Sequence, residues 1–338
     1  MKANQHNLRP LVSLLIPVYG VELYIEECLR SVLQQEYTPL EVILVDDCSP
    51  DNSISLAEEL IAQENRYNHT FRILHHAKNM GIAGARITAI KEAQGELLLF
   101  LDSDDYFLSP EAIKRAVECM QHEQADIVIF NYTELFKRSQ RRSSLPLIYD
   151  SKELTSALLE GVTPAYFWNK VFRRSLFLEK ANLLQLGNNM WEDLQCVVPY
   201  SLEVQRVAYI EENLVAYRRT NERSVTLDLS HKNVTSMKKV LNFLENLFVE
   251  RLGEEQAHSF QKSFATAYLH IDIGVLCHAS YKNFGAILHN NPTLHTHIQQ
   301  MPKLSGHFLR AALFFHKLHL TPLAYLIVRI KEFLQKRR

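Results

Sequence analysis

The chain has 338 residues, 47% hydrophobic and 22% charged, with a formal net charge of -1, which predicts about two domains and excludes the basic surface of a general nucleic-acid binder. Its five cysteines form no C-x-x-C pair and no even framework, so they read as reduced thiols of a cytoplasmic protein. Met1 to Pro10 lacks the apolar core of a signal peptide, and no stretch reaches the ~18 uninterrupted apolar residues of a membrane span.

Leu11 to Val18 reads as a first strand, and Val21 to Gln35 as a helix with Ile25, Cys28, Leu29, Val32 and Leu33 on one stripe. Glu41 to Val45 is a second strand. Ser49 as N-cap and Pro50 at the first helical position then predict a helix that starts at once and turns Ile54, Ala57, Leu60 and Ile61 inward. Phe71 to His75 is a third strand, and Ala83 to Gln94 a helix stopped at Gly95. Glu96 to Leu101, with almost no polarity, reads as a buried parallel strand, and Ala125 to Phe130 follows after a further helix. This alternation predicts an α/β fold, a parallel sheet with helices on both faces.

Asp102-Ser103-Asp104-Asp105 emerges where the chain leaves that fourth strand, the end at which open α/β sheets bind ligands. Three carboxylates in four residues repel one another unless a cation or a donor-rich ligand offsets them. Oxygen ligands of this kind suit Mg²⁺ or Mn²⁺, which takes one or two carboxylates plus substrate phosphates. Taken alone, the four residues fit a solvated acidic turn equally well. A second acidic turn, Asp46-Asp47-Cys48-Ser49-Pro50-Asp51, follows the second strand, and a parallel sheet aims both turns into one crevice. No G-x-G-x-x-G run follows Val18 and no Walker loop occurs. Gly81-x-x-Gly84 is a weak phosphate signal by itself.

Ile16-Pro17-Val18-Tyr19, Val45-Asp46-Asp47-Cys48-Ser49-Pro50-Asp51, Asn79-x-Gly81-x-x-x-Ala85-Arg86 and Gly95-Glu96 through Asp105 resemble, in order and spacing, successive blocks of family 2 glycosyltransferases. The resemblance covers roughly residues 11 to 230. Gly20 and Ile87 stand where the family usually has Asn. The resemblance implies a GT-A fold with a mostly parallel central sheet that binds a nucleotide-sugar, most often a UDP-sugar, with Mg²⁺ or Mn²⁺. It places Pro17, Tyr19, Glu22 and Asp47 around the nucleoside, Arg86 at the pyrophosphate, Asp102 and Ser103 at the donor and Asp104 on the metal. Trp191-Glu192-Asp193-Leu194 resembles the family's Glu-Asp block at the start of a helix, making Asp193 the general base of an inverting transfer. By itself, Glu192-Asp193 would be a dipole-favourable first helical turn. Trp168-Asn169-Lys170 through Arg174 resembles a block of bacterial members that build surface glycans. With Trp191, Glu192, Tyr217 and Arg218, the residues Trp168, Asn169 and Lys170 are expected on the acceptor or diphosphate side. Tyr217-Arg218-Arg219 followed by Ser224-Val225-Thr226 matches a further block, read as a loop placing cations near the diphosphate.

The expected organisation is a catalytic domain over 1–229, with a donor half at about 11–135 and an acceptor half at 136–229, then a helical extension over 230–338. Lys232 to Arg251 and Glu254 to Ala279 read as helices, with two more after Ser305 separated by Pro322. From Met301 to Arg338 eight Lys or Arg residues face a single acid, Glu332, among many aromatic and aliphatic residues. That pattern fits a surface lying on anionic lipid at the cytoplasmic face of the inner membrane, and equally a helix docked on its own domain. The expected function is one-sugar transfer to a hydroxyl of a glycan or lipid-linked acceptor in surface polysaccharide or lipopolysaccharide synthesis. A processive synthase would carry membrane spans and a Gln-x-x-Arg-Trp block, both missing. The alternative is a catalytically silent nucleotide-sugar or glycan-binding protein.

Overall fold

Val12–Val18 (β1), apolar except for the buried Ser13, is flanked on both sides, pairing in parallel with Leu40–Asp46 (β2) and Leu97–Phe100 (β4). Thr70–His75 (β3) adds to the far side of β2, again in parallel. Helices Ile25–Leu33 (α1), Ser53–Glu64 (α2) and Gly81–Glu92 (α3) make the crossovers. The predicted stripe of α1 is buried throughout. These observations come from a computed structural model that describes residues 9–181, 183, 184, 190–221, 231–278, 284, 289, 310–314, 317 and 321–336. Contacts divide the chain into two compact units, Met1–Val225 and Thr226–Arg338.

Two local expectations are corrected. α2 begins at Ser53, past the Ser49-Pro50 signal. Ser49 instead ties two loops: its hydroxyl accepts from the Gly20 N–H at 2.8 Å and donates to Asp51 Oδ1 at 2.9 Å, while Asp51 takes the Ser53 N–H at 3.2 Å. Gly95 is a point of close approach, not a helix stop. α3 ends at Glu92, and a Cβ on Gly95 would lie 2.6 Å from Ser13 N and 2.7 Å from Leu11 O. Only a residue without a side chain lets the chain enter β4 so near β1.

The sheet is mixed. Its order is β3-β2-β1-β4, then Lys170–Arg173 (β8), Ile127–Leu135 (β6), Val207–Arg218 (β9) and Tyr106–Phe107 (β5), with Gln140–Arg142 (β7) forming a hairpin with β6. The fifth predicted strand, β6, is not the neighbour of β4. The short segment Lys170–Arg173 (β8) lies between them, antiparallel to both. Val207–Arg218 (β9) runs parallel to β6 with register shifts around Asn131, and Tyr106–Phe107 (β5) pairs antiparallel with β9. The parallel ladders are the long ones. Ala112–His122 (α4), Ser151–Leu159 (α5), Arg174–Ala181 (α6) and Glu192–Ser201 (α7) complete the first unit.

The second unit contains His231–Leu252 (α8), Glu254–His258 (α9), Gln261–His278 (α10) and Thr321–Lys336 (α11). The single helix expected over Glu254 to Ala279 breaks after His258. There the chain tightens through the Ser259 and Phe260 N–H groups, and Phe260 buries its ring edge-on against Phe248 at 5.1 Å. Pro322 sits in the first turn of α11, where its missing N–H costs nothing. Ala324 and Val328 of α11 are buried with Leu269, Ile273 and Leu276 of α10, while Leu323 and Leu326 remain exposed. No described helix is long and apolar enough to cross a membrane.

Candidate active site

β2, β1 and β4 are adjacent, and their carboxyl ends deliver Asp46-Asp47, Tyr19 and Asp102 respectively. The crossover order reverses about β1, which places a crevice at this edge of the sheet.

The first acidic turn is held by donors from its own surroundings. Asp47, 3% exposed, accepts from Met80 N at 2.7 Å and Gly81 N at 2.8 Å, and its Oδ1 lies 2.7 Å from His76 Nδ1. Asp46 accepts from Ser49 N at 2.8 Å and meets His75 Nδ1 at 3.0 Å. Cys48 between them takes φ 61, a left-handed conformation that costs a residue with a Cβ and is found where the surroundings over-determine the backbone. Glu22 accepts from the Asn52 side chain at 2.9 Å, joining the loop after β1 to the start of α2. Tyr19 is 51% exposed at the mouth, and Pro17 is half-buried behind it.

The second acidic turn is less well satisfied. Asp105, buried, accepts from Arg218 N at 2.6 Å through Oδ1, while its Oδ2 is buried with no hydrogen-bond partner. Asp104 accepts from Asn221 Nδ2 at 2.8 Å. Burial, and then the neighbouring Asp104 and Asp102 carboxylates, push the Asp105 pKa well up. Burial, and then Asp102, raise that of Asp104. Ser103 is buried within the same turn. β9 returns Arg218 to this turn: its Nε donates to Asp104 O at 2.9 Å, and its guanidinium lies 5.0 Å from the Tyr24 ring and pairs with Glu27. Among the described residues no group of three His, Cys, Asp or Glu is spaced to hold an ion alone. Crowded carboxylates with an orphaned buried oxygen nevertheless fit a hard divalent cation that keeps other oxygens as ligands, the usual condition for Mg²⁺ with a phosphate substrate.

Arg86 joins this turn to α7. Its guanidinium pairs with Asp102 at 2.9 Å and Glu192 at 2.5 Å and lies 4.8 Å from the centroid of the Phe167 ring. It is 3% exposed. Burial opposes its charge, but Asp102, Glu192 and Asp193 outweigh burial and raise its pKa. Arg86, expected at the pyrophosphate, places its two terminal nitrogens on carboxylates and so ties the Asp102 turn to α7. Glu192 and Asp193 form the first turn of α7, as their sequence pattern predicts, preceded by Trp191 at φ 62. Burial pushes both carboxyls up against the pull of Arg86.

Asn169 and Lys170, expected to face an acceptor, point inward as well. Lys170 Nζ donates to Pro164 O at 2.7 Å, Tyr166 O at 2.8 Å and Asn169 Oδ1 at 2.6 Å, using all three donors of an ammonium. Burial brings its pKa down to about 7, with Asp193 opposing the shift. It fixes the 164–170 segment beneath the site. Trp168 is likewise buried, stacked on Tyr166 at 4.8 Å and tilted on Tyr217 at 4.8 Å. Tyr166, Tyr132 and Asn221 carry no role in the sequence reading, and Asp105 carries none beyond its place in the acidic block. Asp105 and Asn221 had a signal, one inside the acidic block and one just beyond the Tyr217-Arg218 block. Ser224, Val225 and Thr226 lie outside the described residues.

Residues 13–179 match the model of glycosyl transferase family 2. The uncharacterized glycosyltransferase EpsJ of Bacillus subtilis is 35% identical over 232 residues, 64% of this chain and 63% of that protein, so the chain spans less than two thirds of that relative's length. The fold matches a crystal structure of S. aureus TarS 1-349 in complex with UDP-GlcNAc, with TM-score 0.63 and 20% identity over 95% of this chain and 91% of that one. It also matches the mannosyltransferase PcManGT from Pyrobaculum calidifontis in complex with GDP-Man and Mn²⁺, with TM-score 0.50 and 18% identity over 98% and 89%. The architecture is GT-A, a mixed sheet whose long ladders are parallel, and residues 13–179 carry the match to glycosyl transferase family 2.

Proposed function

We propose that this protein is an inverting, divalent-metal-dependent glycosyltransferase that moves one sugar from a nucleotide-sugar, a UDP-sugar by preference, to a hydroxyl of a surface-glycan acceptor. One observation carries the reading. Arg86 bonds Asp102 and Glu192 together, so two acidic blocks some ninety positions apart in sequence share one side chain's reach, as a donor site and a base must. The UDP-GlcNAc bound by TarS supports the donor class.

In this reading Tyr19, Pro17 and the Asp47 turn line the nucleoside, Asp102 and Ser103 the donor's ribose side, and Asp104 the metal, with Asp105 supporting it. A bound Mg²⁺ or Mn²⁺ would neutralise charge on the departing diphosphate. Asp193 takes the proton of the acceptor hydroxyl as that oxygen bonds to C1 of the sugar. The bond from C1 to the diphosphate oxygen breaks on the opposite face, and configuration inverts. Burial raises the pKa of Asp193, while Arg86 and Lys170 favour its ionised form, and a carboxylate made more basic by burial is a better proton acceptor.

The test is product analysis. Purified protein with a panel of UDP- and GDP-sugars and Mn²⁺ should transfer to a glycan acceptor, and NMR should show an anomeric configuration opposite to the donor's. Asp193→Asn should lower turnover by about 10²-fold or more with little change in donor affinity. Retained configuration would overturn the mechanism. Nucleotide-sugar binding without transfer or hydrolysis of any donor would make the chain a silent binding protein.

A further inference from the structure

The reaction residues leave one strongly charged surface unused. The hairpin between β6 and β7 carries Lys137, Arg138, Arg141 and Arg142, with no acid from Phe136 to Tyr149, and all four are exposed. Glu134 lies opposite Arg141 in β7 and beside Tyr217 in β9. Partners in register share a face of a sheet, so Tyr132, Glu134, Arg141, Tyr217 and Arg219 project together. Glu134 is buried and accepts from Arg141 Nε at 2.6 Å, and Arg219 Nε approaches it at 3.4 Å. Arg219 also donates to the Tyr217 hydroxyl at 3.1 Å and lies 5.1 Å from that ring. Half-buried Tyr217 and Tyr166 continue the face, packed on the buried Trp168 as a layer of rings. One carboxylate thus orients two guanidiniums but neutralises neither fully, and three more cations stand alongside.

We propose that the Tyr166–Tyr217 ring layer and the basic β6–β7 hairpin form a binding site for an anionic acceptor glycan, one whose repeating units carry phosphate or carboxylate groups. Sugar rings present apolar C–H faces that lie against aromatic rings, and planar guanidiniums grip phosphate or carboxylate with two parallel hydrogen bonds. The site borders the reaction centre: Phe167, between Tyr166 and Trp168, lies 4.8 Å from the Arg86 guanidinium, which pairs with Glu192 beside Asp193. A chain lying on the rings therefore presents one hydroxyl to Asp193 while its charged units extend over the hairpin. This inference rests on the glycosyltransferase reading and names its acceptor class.

The experiment uses the full chain and its own fluorescence, since Trp168 belongs to the ring layer and the sequence holds only two tryptophans. The probes are a phosphodiester-linked oligosaccharide, a neutral oligosaccharide of equal length, and phosphatidylglycerol vesicles. The anionic oligosaccharide should change the emission, bind about tenfold or more tighter than the neutral one, and weaken as salt rises. The exposed double variant Arg138→Gln/Arg142→Gln should lose about tenfold in that affinity and keep UDP-sugar hydrolysis unchanged. Equal affinity for the two oligosaccharides, or unchanged binding by the double variant, overturns the proposal. So does hairpin-dependent binding of the vesicles without the oligosaccharide, which would make the patch a membrane contact. Hydrolysis of UDP-sugar, measured in the same samples, reports separately: its absence counts against the enzyme reading, not against the subsite.

Discussion

The two acidic turns both leave the carboxyl ends of parallel strands that flank β1, and they are opposite in structure. Asp47 is surrounded by donors, two backbone N–H groups and a histidine ring. The Asp102–Asp105 turn has three carboxylates and too few donors, with one buried oxygen unpaired. A carboxylate whose bonds are complete within the fold stabilises that fold, while one left short is ready for a partner from outside. In the proposed reading the first turn shapes the nucleoside side of the site and the second holds the metal and diphosphate.

Substitution should separate the two. Asp104→Ala should cost about 10³-fold in turnover and leave the melting temperature in the absence of ligand unchanged or higher, because one of three crowded charges is gone. Asp47→Ala should act on stability, losing about 3 kcal/mol as the Met80 and Gly81 N–H groups lose their acceptor. Kinetics and thermal melts of both variants, measured side by side, would blur the contrast if the two fell together.

Arg86 ties the second turn to α7, and its removal should be a stability effect before a kinetic one. Arg86→Met leaves Asp102 and Glu192 facing each other in a buried setting, at a cost of about 3–5 kcal/mol read by urea denaturation. A variant as stable as the parent would mean that solvent or a ligand already serves those carboxylates.

Protonation sharpens the same division. Because burial raises the Asp193 pKa, the acid limb of kcat/KM should lie above the ordinary carboxylate range, with activity lost as pH falls through it. Lys170→Met removes a cation that favours ionised Asp193, so the limb should move to higher pH. The lysine carries its own signature in stability. Its folded pKa of about 7 lies below the unfolded value of about 10.4, so the unfolded chain binds more protons between them. Stability gained from this group should therefore rise with pH across that window and be absent in the variant. A limb that does not move would uncouple Lys170 from the base.

How much of this was legible in sequence follows from how local each feature is. The strands β1 to β4 and the start of α7 rest on runs and caps within a dozen residues, and they are where the pattern puts them. β8 and β5 are four and two residues long and exist through pairing with distant strands, which no local period reports. The role of Arg86 was hidden for the same reason, since its partner Glu192 comes from another element. The ring layer was half visible: Trp168 and Tyr217 stood in recognisable blocks, but Tyr132 and Tyr166 join them through the register of β6 and the turn before β8.

The smallest effect is expected from the tail. α11 buries Ala324 and Val328 but leaves Leu323 and Leu326 exposed, and the eight basic residues of its region contribute about 1 kcal/mol each only where they face an anionic surface. Weak, salt-sensitive flotation with anionic liposomes, lost on truncation after His307, is the expected result. Equal flotation by the truncated chain would leave the tail as packing alone.

The central claim is that a nucleotide diphosphate binds at the Asp102–Asp105 turn together with a divalent ion. Isothermal calorimetry with UDP, with and without Mn²⁺, on the parent chain and on Asp104→Ala tests it most directly. The account predicts binding by the parent that depends on Mn²⁺ and is lost in the variant. Undiminished binding by Asp104→Ala, or binding by the parent that ignores the metal, would contradict it.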